Sequence, residues 1–295
     1  MVHGAAAVDR QSFRLTTMPT VPDWSATTGD AWAERWQDLD RALAGVTPHL
    51  VSAVLDLAPP GPFRAFDVGC GAAATTVAVA KERSDAAIAA CDLSPSLARI
   101  AEERTQGLKS VQVLLGDAEA LAASEGPFEL FFSRHGVMFF PNPVRAFSSL
   151  HDAATPDGSL VFSCFHDWSE NAWASEVASA TAGREIPSPG REPSGFAFSD
   201  PDYVRDIFGA SGWSDWDGRV VALDYLAGEG AGAIDQAVSL LTEIGPASAL
   251  LKAMDESDRE PALKRLRKVV ESYFESDAVR FPASIWIWSA KIGSA

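Results

Sequence analysis

Residues 66–76, FDVGCGAAATT, run from an apolar approach through one acid and two glycines into a series of small residues. On the near side, RAFDVG (64–69) reads as a short buried strand that ends in glycine. On the far side, TTVAVAKER (75–83) sets apolar groups at helical spacing, so 64–83 is predicted to be strand, tight turn and helix. The unit then repeats. AAIAACD (86–92) is apolar and stops at an acid, and SPSLARIAEERTQG (94–107) follows with Ser94 as N-cap, Pro95 at the first helical position and Gly107 as the stop. VQVLLGD (111–117), FELFFS (128–133) and SLVFSCF (159–165) supply three more strands, with PVRAFSSLHDAA (143–154) a helix before the last of them. Such alternation predicts an α/β fold of the doubly wound, Rossmann-like kind, a mostly parallel seven-stranded sheet with helices on both faces. Ligands on these sheets sit at the carboxyl ends of the strands.

The second half reads differently. Residues 166–195 begin helical and become rich in Pro, Gly and Ser, a composition that suits a lid, with GREIPSPGREPSG (183–195) expected to be its mobile part. SDPDYVRDIFGASG (199–212) reads as a capped helix leading to a strand near 213–224. Residues 230–276 carry two or three helices, and ASIWIWSAK (283–291) alternates as a final strand, expected to run antiparallel. The expected organisation is one integrated domain: a helical cover (1–60), a ligand-binding core (61–165), lid and cap insertions with the sixth strand (166–280), and the last strand (281–295).

At 295 residues and 47% hydrophobic content, the chain can bury a sizeable core. Its formal net charge of −16 repels a polyphosphate backbone, which argues against nucleic acid as a partner. Residues 1–20 hold no apolar leader core and no stretch approaches a membrane span, so the expected location is cytoplasmic, as monomer or homodimer, without membrane association. Cys70, Cys91 and Cys164 lack metal-ligand spacing and read as reduced core residues, with no metal expected.

A strand that enters a helix through a glycine turn leaves backbone N–H groups free at the positive end of the helix dipole, where they attract an anion. Gly69 and Gly71 let the backbone approach a ligand closely. Gly69-x-Gly71-x-x-Ala74 satisfies a dinucleotide fingerprint, and Asp92, 21 residues past Gly71, is placed to bind ribose hydroxyls in either reading. Asp67 separates the alternatives. An acid two residues before the first glycine repels a pyrophosphate but suits a ligand with a cation near its anionic end, and S-adenosylmethionine has that form.

The blocks FDVGCG, CDLS, GDAEAL and SRHGVMFFPNPVRAF, in that order and each at a strand end, resemble the class I S-adenosylmethionine-dependent methyltransferases, specifically the bacterial small-molecule group. The resemblance covers about residues 24–165 closely and the rest loosely. It implies that Asp67, Gly69 and Gly71 hold the methionine portion, Asp92 the ribose hydroxyls, Asp117 the adenine amino group and the Ala118 N–H the ring edge. The Ser133 carbonyl is implied to accept from the α-ammonium, and Cys70 and Leu93 belong to the same cofactor-binding set. WSATTGDAW (24–32) looks like the helical segment that closes over the donor, with Trp24 or Trp32 lining the site. Two positions depart from the pattern: the loop's third glycine is Ala73 or Ala74, and a position often aromatic in the family is His135.

Methyl transfer from a sulfonium is an in-line displacement, so the protein mainly positions the reactants and excludes water. His135 is the first candidate for a catalytic base, with a pKa expected near 6–7, and His166 the second. Trp168, Asn171 and Trp173 are candidates for an acceptor pocket, and the caps at 166–195 and 224–280 are expected to select a hydrophobic or aromatic small molecule for O- or N-methylation. Two alternatives stay open: a nicotinamide-dinucleotide oxidoreductase, and a protein that binds S-adenosylmethionine without transferring its methyl group.

Overall fold

The structure is a computed structural model and describes residues 23–293. The leaderless reading of residues 1–20 and the outer ends of the cover and last-strand segments lie outside the described residues. Three helices come first: α1 (Thr27–Glu34), α2 (Trp36–Ala42) and α3 (Val46–Leu57). The alternating unit follows as β1 (Phe63–Val68), α4 (Ala74–Glu82), β2 (Ala86–Asp92), α5 (Pro95–Thr105), β3 (Val111–Leu115), α6 (Ala118–Glu125), β4 (Phe128–Arg134), α7 (Pro143–Asp152) and β5 (Ala154–Phe165). The remainder is α8 (Ala172–Ala182), α9 (Pro201–Ser211), β6 (Trp213–Glu229), α10 (Ala233–Glu243), α11 (Pro246–Ala253), α12 (Glu256–Ser272), β7 (Phe274–Glu275) and β8 (Ala278–Ile292).

The sheet order is β3-β2-β1-β4-β5-β8-β6, and the two-residue β7 pairs only with β8. Strands β1 to β5 pair in parallel, while β8 runs antiparallel to both β5 and β6. The expected α/β sheet with an antiparallel last strand is therefore the observed one, plus one short extra strand. Its cause is visible in the local chemistry. β1 and β4 are buried on both faces, as a central parallel strand requires, and Phe131 packs edge to face on both Phe66 and Phe128, which are tilted against each other. Helix α5 starts where Ser94 accepts from the Leu97 N–H with Pro95 behind it, as its sequence predicts.

β6 and β8 run several residues beyond the stretches read from the sequence, to Glu229 and from Ala278. Their outer ends satisfy each other's backbone groups down to the Glu229–Ala278 pair. The extensions are largely buried, with Tyr225, Ala227, Val279 and Phe281 in the core, but Gly228 and Pro282 interrupt the strand signal in the sequence there. The strand order reverses between β1 and β4, with β2 and β3 added on one side and β4 and β5 on the other, which places the topological switch point of the sheet there. The turns after those two strands touch: a Cβ on Gly69 would stand 3.4 Å from the Gly136 Cα.

Candidate functional site

A cavity of about 240 Å³ opens at this switch point. Its floor is the β1–α4 turn, where Gly69 and Gly71 adopt left-handed φ of +66° and +56°. A Cβ on Gly71 would meet nothing within 4 Å, so that backbone faces open space. The loop's next residue with positive φ is Ala73, at +62°, an uncommon conformation for a residue with a side chain.

Acids stand at the ends of three adjacent strands. Asp92, closing β2, accepts from the Gly71 N–H through Oδ2 at 2.8 Å and from the Ser94 N–H through Oδ1 at 2.9 Å, and thereby shapes the turn it faces. Burial raises its pKa, while the backbone donors of Ser94, Gly71 and Leu93 oppose that rise. Asp117, two residues past β3, uses Oδ1 to cap α6 through the Ala120 N–H. Asp67 lies deeper, in β1 between Ala90 and Phe132. Its Oδ2 accepts from Thr76 Oγ1, its Oδ1 has no partner, and desolvation lifts its pKa to about 7 against the Thr76 bond and the Arg134 charge.

Trp32, Gly69, Cys70, Gly71, Asp92, Leu93, Asp117, Ala118 and His135 line the cavity together. Asp67 and Ser133 sit behind the wall. Ser133 is fully buried, and its Oγ donates to the Val68 carbonyl at 2.7 Å and accepts from the Gly136 N–H at 3.2 Å. Its side chain thus staples the β4 turn to the end of β1. A Cβ on Gly136 would stand 2.7 Å from the Val68 carbonyl and 2.8 Å from Ser133 Oγ, so this close turn needs glycine.

The cover comes from the N-terminus. Trp24 packs edge to face on Trp32 and Phe139, with ring centroids 5.2 and 4.8 Å apart. Gly29 lets α1 lie on the start of α5, because a Cβ there would run into the Trp24 carbonyl and Ser94 Oγ. Arg35 anchors the other side to Ser239 and Glu243 of α10. From α2, Asp40 reaches the cavity and binds Arg134 at 2.8 Å and Arg104 at 2.7 Å, and Arg104 also lies over the Trp36 ring.

Several expectations need correction. No lining residue comes from 166–280: the wall is built from residues 24–43 and 68–141. Trp168, Trp173 and Phe196 pack with Phe165 and Tyr225 in the core, and Asn171 is buried holding the Asp167 and Ser284 carbonyls, so the proposed acceptor pocket is solid. The 183–195 segment is irregular, as its composition predicts, but it stands away from the cavity, with Ile186 accepting from Trp168 Nε1. His166 is also outside the cavity, its Nδ1 held between Glu170 and Ser284. His135 lines it, yet its pKa is pushed down to about 3, first by burial and then by Arg134, so the value near 6–7 is wrong. Composition places an imidazole but not the water around it. Sequence reading also missed Asp40, although the Arg134 it pairs with stood in a quoted block.

Residues 66–162 match the family described as a methyltransferase domain. The chain is 31% identical over 106 residues to a malonyl-[acyl-carrier protein] O-methyltransferase of Geobacter sulfurreducens, covering 36% of this chain and 40% of that one. It is 34% identical over 137 residues to a ubiquinone biosynthesis O-methyltransferase of Methylococcus capsulatus, covering 44% and 56%. The chain thus matches about half the length of these curated relatives. Phosphoethanolamine N-methyltransferase 2 of Haemonchus contortus, crystallised with phosphomonomethylethanolamine and S-adenosylhomocysteine, shares the fold at a TM-score of 0.53 and 14% identity, over 93% of this chain and 61% of that one.

Proposed function

From a chain whose residues 66–162 form a methyltransferase domain of the class I S-adenosylmethionine-dependent family, we propose a methyltransferase that acts on a small, apolar or aromatic molecule at oxygen or nitrogen. The observation that carries this reading is a single cavity lined both by the glycine turn with the carboxylates of Asp92 and Asp117 and by aromatic and aliphatic side chains such as Trp36, Leu39, Leu43 and Phe139. Bound S-adenosylmethionine supplies an activated methyl group on a sulfonium.

The residues present fit that donor. Asp67 keeps a buried carboxylate oxygen without a partner, which suits an α-ammonium. Gly69 and Gly71 leave room for the methionine carboxylate against backbone N–H groups at the start of α4. Asp92 has lone pairs left on both oxygens for ribose hydroxyls, and Asp117 has an oxygen its cap does not use. A pyrophosphate would instead meet the Asp92 and Asp117 carboxylates that line the cavity, which disfavours the dinucleotide alternative.

Trp36, Leu39, Leu43, Phe139 and Phe140 offer an acceptor an apolar bed next to Arg134 and His135. Their contribution is to orient the acceptor and exclude water, the main requirements of an in-line displacement. The two O-methyltransferase relatives favour oxygen as the acceptor atom. The test is to denature the purified protein, identify the released ligand by mass spectrometry, and titrate S-adenosylmethionine and NADH by calorimetry. Adenosylhomocysteine in the extract, followed by labelled methyl transfer into a metabolite extract, supports the proposal. Tight NADH binding, or S-adenosylmethionine binding without transfer, overturns it.

A further inference from the structure

Helix α2 turns one face to the cavity. Trp36, Leu39, Asp40 and Leu43, at positions i, i+3, i+4 and i+7 of that face, all belong to the wall. Three of them form the apolar bed offered to an acceptor, so an acid among them needs a physical reason. Asp40 Oδ1 accepts from Arg134 at 2.8 Å, and its Oδ2 meets Arg104 at 2.7 Å. Arg134 also donates to Thr47 Oγ1 at 3.2 Å, and Arg104 to the Ala72 carbonyl, so each guanidinium is held from two sides.

The charges around the cavity leave no surplus of cations. Among the described residues, the wall holds three carboxylates, Asp40, Asp92 and Asp117, and one guanidinium, Arg134. His135 adds no charge, because its pKa is pushed down to about 3, and burial raises the Cys70 and Cys91 thiols. Outside the lining stand Arg104 and Asp67, a carboxyl with a pKa of about 7 on which the Arg134 charge also acts. Arg35 and Arg41, the other cations of the 24–43 cover, are outside it too and are held by Asp38 and Glu243. Bound S-adenosylmethionine brings one net positive charge, since its ammonium and sulfonium outnumber its carboxylate. The total near neutral pH is then zero or negative, and the single cation of the wall is already paired.

We propose that Asp40 determines the charge of the acceptor: by occupying Arg134 and Arg104 it denies an anion its counter-charge, and the cavity selects an uncharged phenol, alcohol or amine over a carboxylate or phosphate. This inference rests on the proposed methyl transfer and narrows its substrate. An anion would have to displace Asp40 from Arg134, leaving that carboxylate unpaired, or lose its hydration with no partner in return. An uncharged acceptor packs on Trp36, Leu39 and Leu43 and disturbs neither ion pair. The same pairs fasten α2 to β4 and α5, a structural role that would affect charged and uncharged ligands alike.

Two probes of the same shape, 2-naphthoate and 2-naphthamide, separate the roles. Calorimetry on the full chain saturated with adenosylhomocysteine, at about pH 7.5 where naphthoate is ionised, reads the affinity of each. The amide should bind at least about ten-fold tighter, the order of effect that one unit charge exerts across a partly buried site. Asp40→Asn keeps the side chain's size and removes its charge, and should tighten naphthoate about ten-fold with little change for naphthamide. Asp40→Glu keeps the charge and should retain the wild-type preference. Equal or tighter binding of naphthoate by the wild type, an unchanged preference or equal weakening of both probes in Asp40→Asn, loss of the preference in Asp40→Glu, or no binding of either probe overturns the proposal. Failure of adenosylhomocysteine to bind would instead overturn the methyltransferase reading, and the preference between the probes is then read on the ligand-free chain.

Discussion

Replacing Asp67 by Asn should change stability in a way that depends on pH. The carboxyl is 1% exposed and half unpartnered, and its pKa rises from 3.8 to about 7. Between those values the folded chain holds a proton that the unfolded chain has released. Stability from this group is therefore fully present below about pH 4 and is lost as pH rises through about 7. The difference corresponds to about 4 kcal/mol at 1.36 kcal/mol per pH unit. Asn cannot titrate, and its unpartnered amide carries a penalty of about 1–3 kcal/mol that does not vary with pH. The stability of Asp67→Asn relative to the wild type should thus move by about 4 kcal/mol in the variant's favour from about pH 4 to pH 8. Urea unfolding of both ligand-free proteins across that range measures it, since other titrations cancel in the comparison. A relative stability that stays flat with pH would refute the assignment of a desolvated, unpaired acid beneath the glycine turn.

Asp92→Ala removes the acceptor of the Gly71 and Ser94 N–H groups, so S-adenosylmethionine affinity should fall by at least about 1.5–3 kcal/mol and the melting temperature with it. Calorimetry on the folded fraction separates the two effects. Gly29→Ala should push α1 off α5, lowering stability by about 1–3 kcal/mol and raising the donor's dissociation rate, as read by tryptophan fluorescence from Trp24 and Trp32. Limited proteolysis should cut first within 183–195, and S-adenosylmethionine should leave that cleavage unchanged while protecting the 24–43 cover, because only the latter lines the cavity.

Much of this molecule is determined by the sequence alone. The order of strands and helices, the glycine turn and the acids at the ends of β1, β2 and β3 follow from hydrophobic period and turn chemistry, which act over a few residues. Asp92 could be placed at the site from the strand that ends there and the fixed spacing to Gly71. Other features depend on which side chains meet after the chain has folded. Asp40 joins Arg134 across 94 residues, and His135 finds Ser163 across 28. The N-terminal helices, not the proline-rich segment after β5, close the cavity because Gly29 permits contact with α5 and Arg35 reaches α10. Ser133, legible as a strand-end residue, proves to be a staple because its hydroxyl reaches Val68 on the neighbouring strand. The largest revision concerns His135: a free imidazole titrates near neutrality, whereas removal from water beside a fixed guanidinium holds this one neutral. Desolvation is set by packing around the whole group, and packing is a property of the tertiary structure.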